Sequence, residues 1–179
     1  PIMVMNVDAS TFDTLLKFHL EPEIFSFQLL HQFHQFIKAQ GISSFPIHLK
    51  LNTGMNRLGF DMHDIAALAE ILQEMPVLKV QSIFSHLSAS GQSEYLDHTQ
   101  NQLQQFKAAA FQLEKSLGYT TFKHIANSGA ILMHTQYHLD MVRLGIGLYG
   151  IGENSFGWET VIQLTTTISQ IRKLPAGSY

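Results

Sequence analysis

The stretch His48-Leu49-Lys50-Leu51-Asn52-Thr53-Gly54-Met55-Asn56-Arg57-Leu58-Gly59-Phe60 decides the fold. Ile47, Leu49 and Leu51 alternate with His48, Lys50 and Asn52, which is the period of a β-strand. Thr53-Gly54 breaks that period, Met55-Asn56 turns, and Arg57 stands ahead of Leu58-Gly59. Two cations, Lys50 and Arg57, therefore flank a glycine-bearing loop at the C-terminal end of a strand, where α/β folds bind ligands. Taken alone, the pair also fits solvated charges around an ordinary loop.

Working outward, strands and helices alternate on both sides. Pro1 to Val7 reads as a strand, Ser10 opens a helix, and Ile24 to Phe27 reads as a short strand. Leu29, Phe33, Phe36 and Ile37 form one helical face that Gly41 ends. After the strand Pro46 to Asn52, Asp61 caps a helix through Ile65, Leu68, Ala69 and Leu72, which Pro76 stops. Val80 to Phe84 is a strand ending in Ser85-His86. The longest helix, about Ser93 to Leu117, buries Leu96, Thr99, Leu103, Phe106, Ala110, Leu113 and Leu117, with Gln100 to Gln105 as a solvated face. Phe122 to Ala126 and Asp140 to Val142 are the last strands. Each runs into turn chemistry, Asn127-Ser128-Gly129 in one case and Arg143-Leu144-Gly145-Ile146-Gly147 in the other.

Such alternation means a parallel sheet with helices outside it, either an open doubly wound sheet or a barrel. Beyond Gly157 the texture changes to a Thr-rich stretch without helical spacing, so a boundary is placed near Trp158. Residues 1–157 form the α/β domain and 158–179 begin a β domain. Both ends read as interior sequence, and the chain is expected to be a piece of a longer polypeptide.

Bulk composition narrows the class. With 179 residues, 45% hydrophobic and only 14% charged, the chain can bury a sizeable core and does not resemble a disordered segment. A net charge of −3 and the lack of any basic run argue against nucleic acid as partner. No apolar run approaches membrane-spanning length. With no cysteine there is no disulfide framework and no thiolate chemistry, which fits a cytoplasmic protein. His31 with His34 and His134 with His138 lack a third nearby ligand, so no metal site is expected.

Four strand ends carry polar groups that a barrel would bring to one mouth: Lys50 with Arg57, His86, Asn127-Ser128, and Arg143 to Ile146. Ser128-Gly129 and Gly145-Ile146-Gly147 offer a hydroxyl and approachable backbone N–H groups, the parts that hold a phosphate. Asn-Ser-Gly is also common turn chemistry, and Gly145 and Gly147 serve equally well as close-packing glycines.

Taken together, these segments resemble the alanine racemases, enzymes of the fold-type III group that depend on pyridoxal 5'-phosphate (PLP). Lys50 to Gly59 is similar to their KxxTGMxRxG motif, His124 to Ser128 to HxANS, and Met141 to Ile146 to MVRxGI; Ser85-His86 fits the strand-ending THxAxAD segment less closely. The resemblance implies a (β/α)8 barrel, of which this chain carries about strands three to eight, followed by the start of a C-terminal β domain. It also implies roles. Ser128, with backbone at Gly145 and Ile146, would hold the cofactor phosphate, and Arg143 would face the pyridine nitrogen without giving up a proton. Arg57 would approach the phenolic oxygen and the substrate carboxylate. Lys50 corresponds to a lysine that many members carry carbamylated, His86 would pack beside Arg143, and Asn127 would sit in the same polar layer.

Asn52 and Gly91 stand where the family usually has acidic residues. Neither the Schiff-base lysine of the first barrel strand nor the tyrosine base of the partner subunit has a counterpart here, so this chain alone is expected to be inactive. The parent is expected to be a homodimer that interconverts L- and D-alanine for peptidoglycan. Two alternatives share the barrel. The β-like tail speaks against a non-catalytic PLP carrier, and Arg143 speaks against a fold-type III decarboxylase, which places an acid at the pyridine nitrogen.

Overall fold

Hydrogen bonding in the computed structural model, which describes residues 1–152 and 157–177, settles the choice between the two parallel architectures. Strands β1 (Met3–Val4), β2 (Glu21–Ile24), β3 (Phe45–Lys50), β4 (Leu78–Phe84) and β5 (Phe122–His124) form one 5-stranded sheet in the order β1-β2-β3-β4-β5. All pairings are parallel. A doubly wound sheet reverses its strand order at a switch point. Here the order never reverses, and the sheet is a barrel segment.

Helices α1 (Phe12–Lys17), α2 (Phe27–Ala39), α3 (Ile65–Gln73) and α4 (Leu96–Leu117) connect the strands, and the short α5 (Ser128–Met133) follows β5. Their apolar stripes close on the outer face of the sheet. Leu30, Phe33 and Ile37 of α2, Leu68 of α3 and Phe106, Ala110 and Leu113 of α4 are fully buried with Ile24, Ile47, Leu49 and Ile83. Asp61 and Asp64 form a reciprocal capping box ahead of α3, and Gly118 ends α4 at φ 75°.

Several boundaries move from their expected places. The strand expected over Ile24 to Phe27 runs instead from Glu21 to Ile24, because Ser26 caps α2 by accepting the Leu29 N–H at 3.2 Å. Asp8, rather than Ser10, caps the first helical turn. Only Met3–Val4 of the expected Pro1 to Val7 strand is paired. Asp140 to Val142 forms no strand, although Asp140 N–H and Arg143 N–H each donate at 3.1 Å to the β5 side, at the Lys123 and Ala126 carbonyls. Residues 157–177 contain neither strand nor helix. No described helix is long and apolar enough to cross a membrane.

The inner face of the sheet is polar. Register pairs Glu23 with His48, His48 with Ser82, Lys50 with Phe84, and Phe84 with His124, so these side chains stack in layers inside the curve. All of them are buried. That polar interior points to a site rather than to a sealed core.

Candidate active site

The strand ends open into a cavity of about 480 Å³ lined by Lys50, Arg57, Phe84, His86, Asn127, Ser128, Arg143, Gly145 and Ile146, with Met5 closing one side. Every residue singled out as a site candidate reaches this one space.

Arg143 organises its floor. The side chain donates from Nη1 to His124 Nδ1 and from Nη2 to the Ser85 carbonyl at 2.6 Å. His86 Nδ1 lies 3.5 Å from Nη2, a contact rather than a strong hydrogen bond. Burial lowers the Arg143 pKa to about 10, with Glu23 opposing the shift, so the guanidinium keeps its charge near neutrality. Both cations approach the Phe84 ring: Lys50 Nζ is 5.4 Å and Arg143 Cζ 5.2 Å from its centroid. His124 stacks on the same ring at 4.8 Å.

Donor logic orients a longer chain behind Arg143. Guanidinium only donates, so His124 Nδ1 accepts and His124 is neutral with its proton on Nε2. Nε2–H then donates to Ser82 Oγ at 3.0 Å, and the Ser82 hydroxyl donates to His48 Nδ1 at 2.6 Å. His48 Nε2–H finally donates to Glu21 Oε2 at 2.8 Å. Every member has one role, and a cation and an anion terminate the two ends. Burial, then Arg143, then His48 hold the His124 pKa down at about 3. His86 is lowered to about 4, first by burial and then by Arg143, Arg57 and Lys50.

Lys50 does not stand alone as the sequence suggested. Its Nζ is 3.0 Å from Glu23 Oε1 on the neighbouring strand, with both side chains buried. Arg57 is exposed and makes no hydrogen bond or ion pair among the described residues. Its loop is built by Asn52, whose Oδ1 accepts the Asn56 N–H at 2.9 Å and whose Nδ2 donates to Asp61 at 2.8 Å. Gly59 is required in this loop: at φ +123° a Cβ would lie 2.7 Å from the Asn52 nitrogen.

Ser128 Oγ accepts the Gly145 and Gly147 N–H groups at 3.0 and 3.1 Å. A hydroxyl and two amides thus converge where a phosphate could be held. Asn127 lines the cavity, but its polar atoms are committed elsewhere. Its Oδ1 accepts from Ser90 at 2.6 Å and caps α5, and its Nδ2 donates to the Leu87 carbonyl at 3.0 Å.

Four contributors escaped sequence reasoning: Glu23, Ser82, Phe84 and Gln102. Gln102 falls in the stretch expected to be solvated, yet it is fully buried. Its Nε2 donates to the His86 carbonyl at 3.2 Å and its Oε1 accepts the Ser88 N–H at 3.1 Å, fixing the loop that carries His86. A charge inside the apolar run Pro22-Glu23-Ile24 was the available signal for Glu23.

The family model described as the N-terminal domain of alanine racemase matches residues 1–153. The chain belongs to this family. The alanine racemase of Clostridium tetani is 31% identical over 189 aligned positions, covering 100% of this chain and 48% of that protein. The alanine racemase of Synechocystis is 31% identical over 171, covering 93% and 45%. Among solved structures, the alanine racemase of a D-cycloserine-producing Streptomyces lavendulae matches with a TM-score of 0.80 at 23% identity, over 89% of this chain and 44% of that one, a likeness of fold. The alanine racemase of Bartonella henselae, solved with covalently bound pyridoxal phosphate, matches with a TM-score of 0.71 at 25% identity, over 83% and 42%. The chain spans about half the length of these curated relatives. The racemase barrel identified from motifs is thus the fold present.

Proposed function

We propose that the chain is part of a PLP-dependent alanine racemase that interconverts L- and D-alanine and supplies D-alanine for peptidoglycan. The observation that carries this is the convergence of Lys50, Arg57, His86 and Ser128 from the ends of β3, β4 and β5, and of Arg143 from the segment beside β5, on one cavity in a chain of this family. The residues present suit the cofactor. Ser128 Oγ and the Gly145 and Gly147 amides converge as a phosphate cradle, and Arg143 is a buried cation whose protons point at acceptors. When bound, PLP would supply the electron sink that makes the alanine Cα proton acidic.

This chain's residues hold and polarise. Arg143, kept in place by His124 and the Ser85 carbonyl, would donate to the ring nitrogen and keep it unprotonated, which limits the sink and disfavours side reactions. Arg57, exposed at the mouth, would take the substrate carboxylate. His86 would stay neutral beside the two arginines. Two-face proton transfer needs two bases. We place the Schiff-base lysine, and a tyrosine of a second subunit, outside this chain. The same proposal makes the whole protein a cytoplasmic homodimer, with residues 1–157 in the barrel and 158–179 opening a C-terminal β domain.

The test is incubation of the full-length protein with PLP and L-alanine in heavy water, resolving the product enantiomers. Deuterium at Cα with D-alanine appearing is expected. PLP binding without exchange would overturn the proposal in favour of a carrier. The 179-residue chain alone is expected to give no racemisation.

A further inference from the structure

Glu23 and Lys50 face each other inside the barrel at 3.0 Å, with side-chain exposures of 1% and 7%. Glu23 Oε2 accepts the Asn6 N–H, whereas Oε1 has no hydrogen-bond partner among the described residues. The charge answering Oε1 is therefore the Lys50 ammonium, held by proximity rather than by directed hydrogen bonding. Lys50 Nζ and Arg143 Cζ each lie near the Phe84 ring, 5.4 and 5.2 Å from its centroid.

We propose that Lys50 works in this protein as an unmodified ammonium, and that Glu23 is the positioning residue that excludes its carbamylation by supplying the buried negative charge from β2. The inference rests on the cavity being the racemase site. Carbamylation joins a neutral amine to carbon dioxide: the nitrogen lone pair forms the N–C bond, one C=O π pair moves to oxygen, and a proton leaves. The product replaces a cation with an anion. Beside the buried Glu23 carboxylate, that exchange turns an attractive 3.0 Å contact into a like-charge one in a site with little water to screen it. A lysine facing an apolar or neutral strand has no such barrier.

The experiment uses the full-length protein equilibrated with 13C-bicarbonate. Carbamates are trapped by O-alkylation, and the Lys50 peptide is weighed by mass spectrometry. Wild type is expected to show no label at Lys50. Glu23→Gln, which keeps the size and removes the charge, is expected to gain a bicarbonate-dependent, saturable label, and Glu23→Asp to stay unlabelled. Label at Lys50 in wild type overturns the proposal, whether or not the variants fold. No label in either wild type or a folded Glu23→Gln overturns the role given to Glu23. Labelling does not depend on racemisation, so absent PLP absorbance or absent α-proton exchange would count against the racemase function alone.

Discussion

Arg143 and His124 share a hydrogen bond in which only the arginine can donate, and this one contact sets the proton positions of His124, Ser82 and His48 in turn. The consequence is a guanidinium held by a neutral imidazole and a carbonyl rather than by a carboxylate. It keeps its positive charge available to whatever enters the cavity. Arg143→Gln in the full-length protein should retain PLP absorbance while kcat/KM for alanine falls by about 100-fold or more, the usual cost of losing a preorganised donor. Steady-state kinetics beside a PLP titration decide it. Near-normal turnover would mean that Arg143 does not face the reacting system.

Acid should unfold the barrel earlier than its carboxylates alone would require. His124 and His86 are held near 3 and 4 in the folded state against an ordinary 6.5. A depressed histidine contributes stability while it is neutral in both states, above 6.5. That contribution is lost as pH falls toward the folded value, because the unfolded chain binds the proton first. Each group contributes a slope of up to about 1.4 kcal/mol per pH unit in that window, less for the partly exposed His86. Thermal midpoints of the full-length protein at pH 7, 6, 5 and 4 should fall progressively, and His124→Gln should flatten the profile. A flat wild-type profile from pH 6.5 to 4 would contradict the burial argument.

Ser82 is the joint between His48 and His124. Ser82→Ala removes one oxygen and leaves His124 Nε2–H without an acceptor and His48 Nδ1 without a donor, both in the buried interior. The expected loss is about 1–3 kcal/mol. Nitrogen chemical shifts of His124 Nε2 and His48 Nδ1 should also move as their Ser82 partner is lost, while Arg143 and Glu21 keep both rings in the same tautomer. A loss below about 0.5 kcal/mol with unchanged shifts would show that the chain of hydrogen bonds is not what holds the rings.

The outer layer of this fold was more legible than its interior. The steps of three and four along α4, the cap at Asp61 and the strand-loop of His48 to Phe60 are local patterns, and each of them formed. Element ends drifted where a cap beat a propensity, as when Ser26 turned a β-prone Phe27 into the first residue of α2. The inward layer was illegible for a different reason. Glu23, Ser82 and Gln102 matter through partners on other strands and loops, 27, 42 and 49 residues away in the cases of Lys50, His124 and Thr53, and no periodicity encodes such pairings. Motif resemblance reached the residues that face the cavity, but not the ones that hold them.

Ser128 offers the most direct test of the phosphate cradle. Its Oγ now takes the Gly145 and Gly147 N–H groups, so the hydroxyl and the turn are already aimed at each other. Ser128→Ala should leave α5 in place, since Asn127 rather than Ser128 provides the cap at Ala130. Losing one hydrogen bond to a charged phosphate is worth about 1.5–3 kcal/mol, so the Kd for PLP should rise by about 10- to 100-fold. The substrate KM at saturating PLP should change little, because the proposed site assigns the carboxylate to Arg57 rather than to Ser128. Fluorescence titration of the apoprotein with PLP gives the first quantity and initial-rate kinetics the second. An unchanged Kd would remove Ser128 from the cradle and leave the amides of the Gly145 turn to hold the phosphate without it.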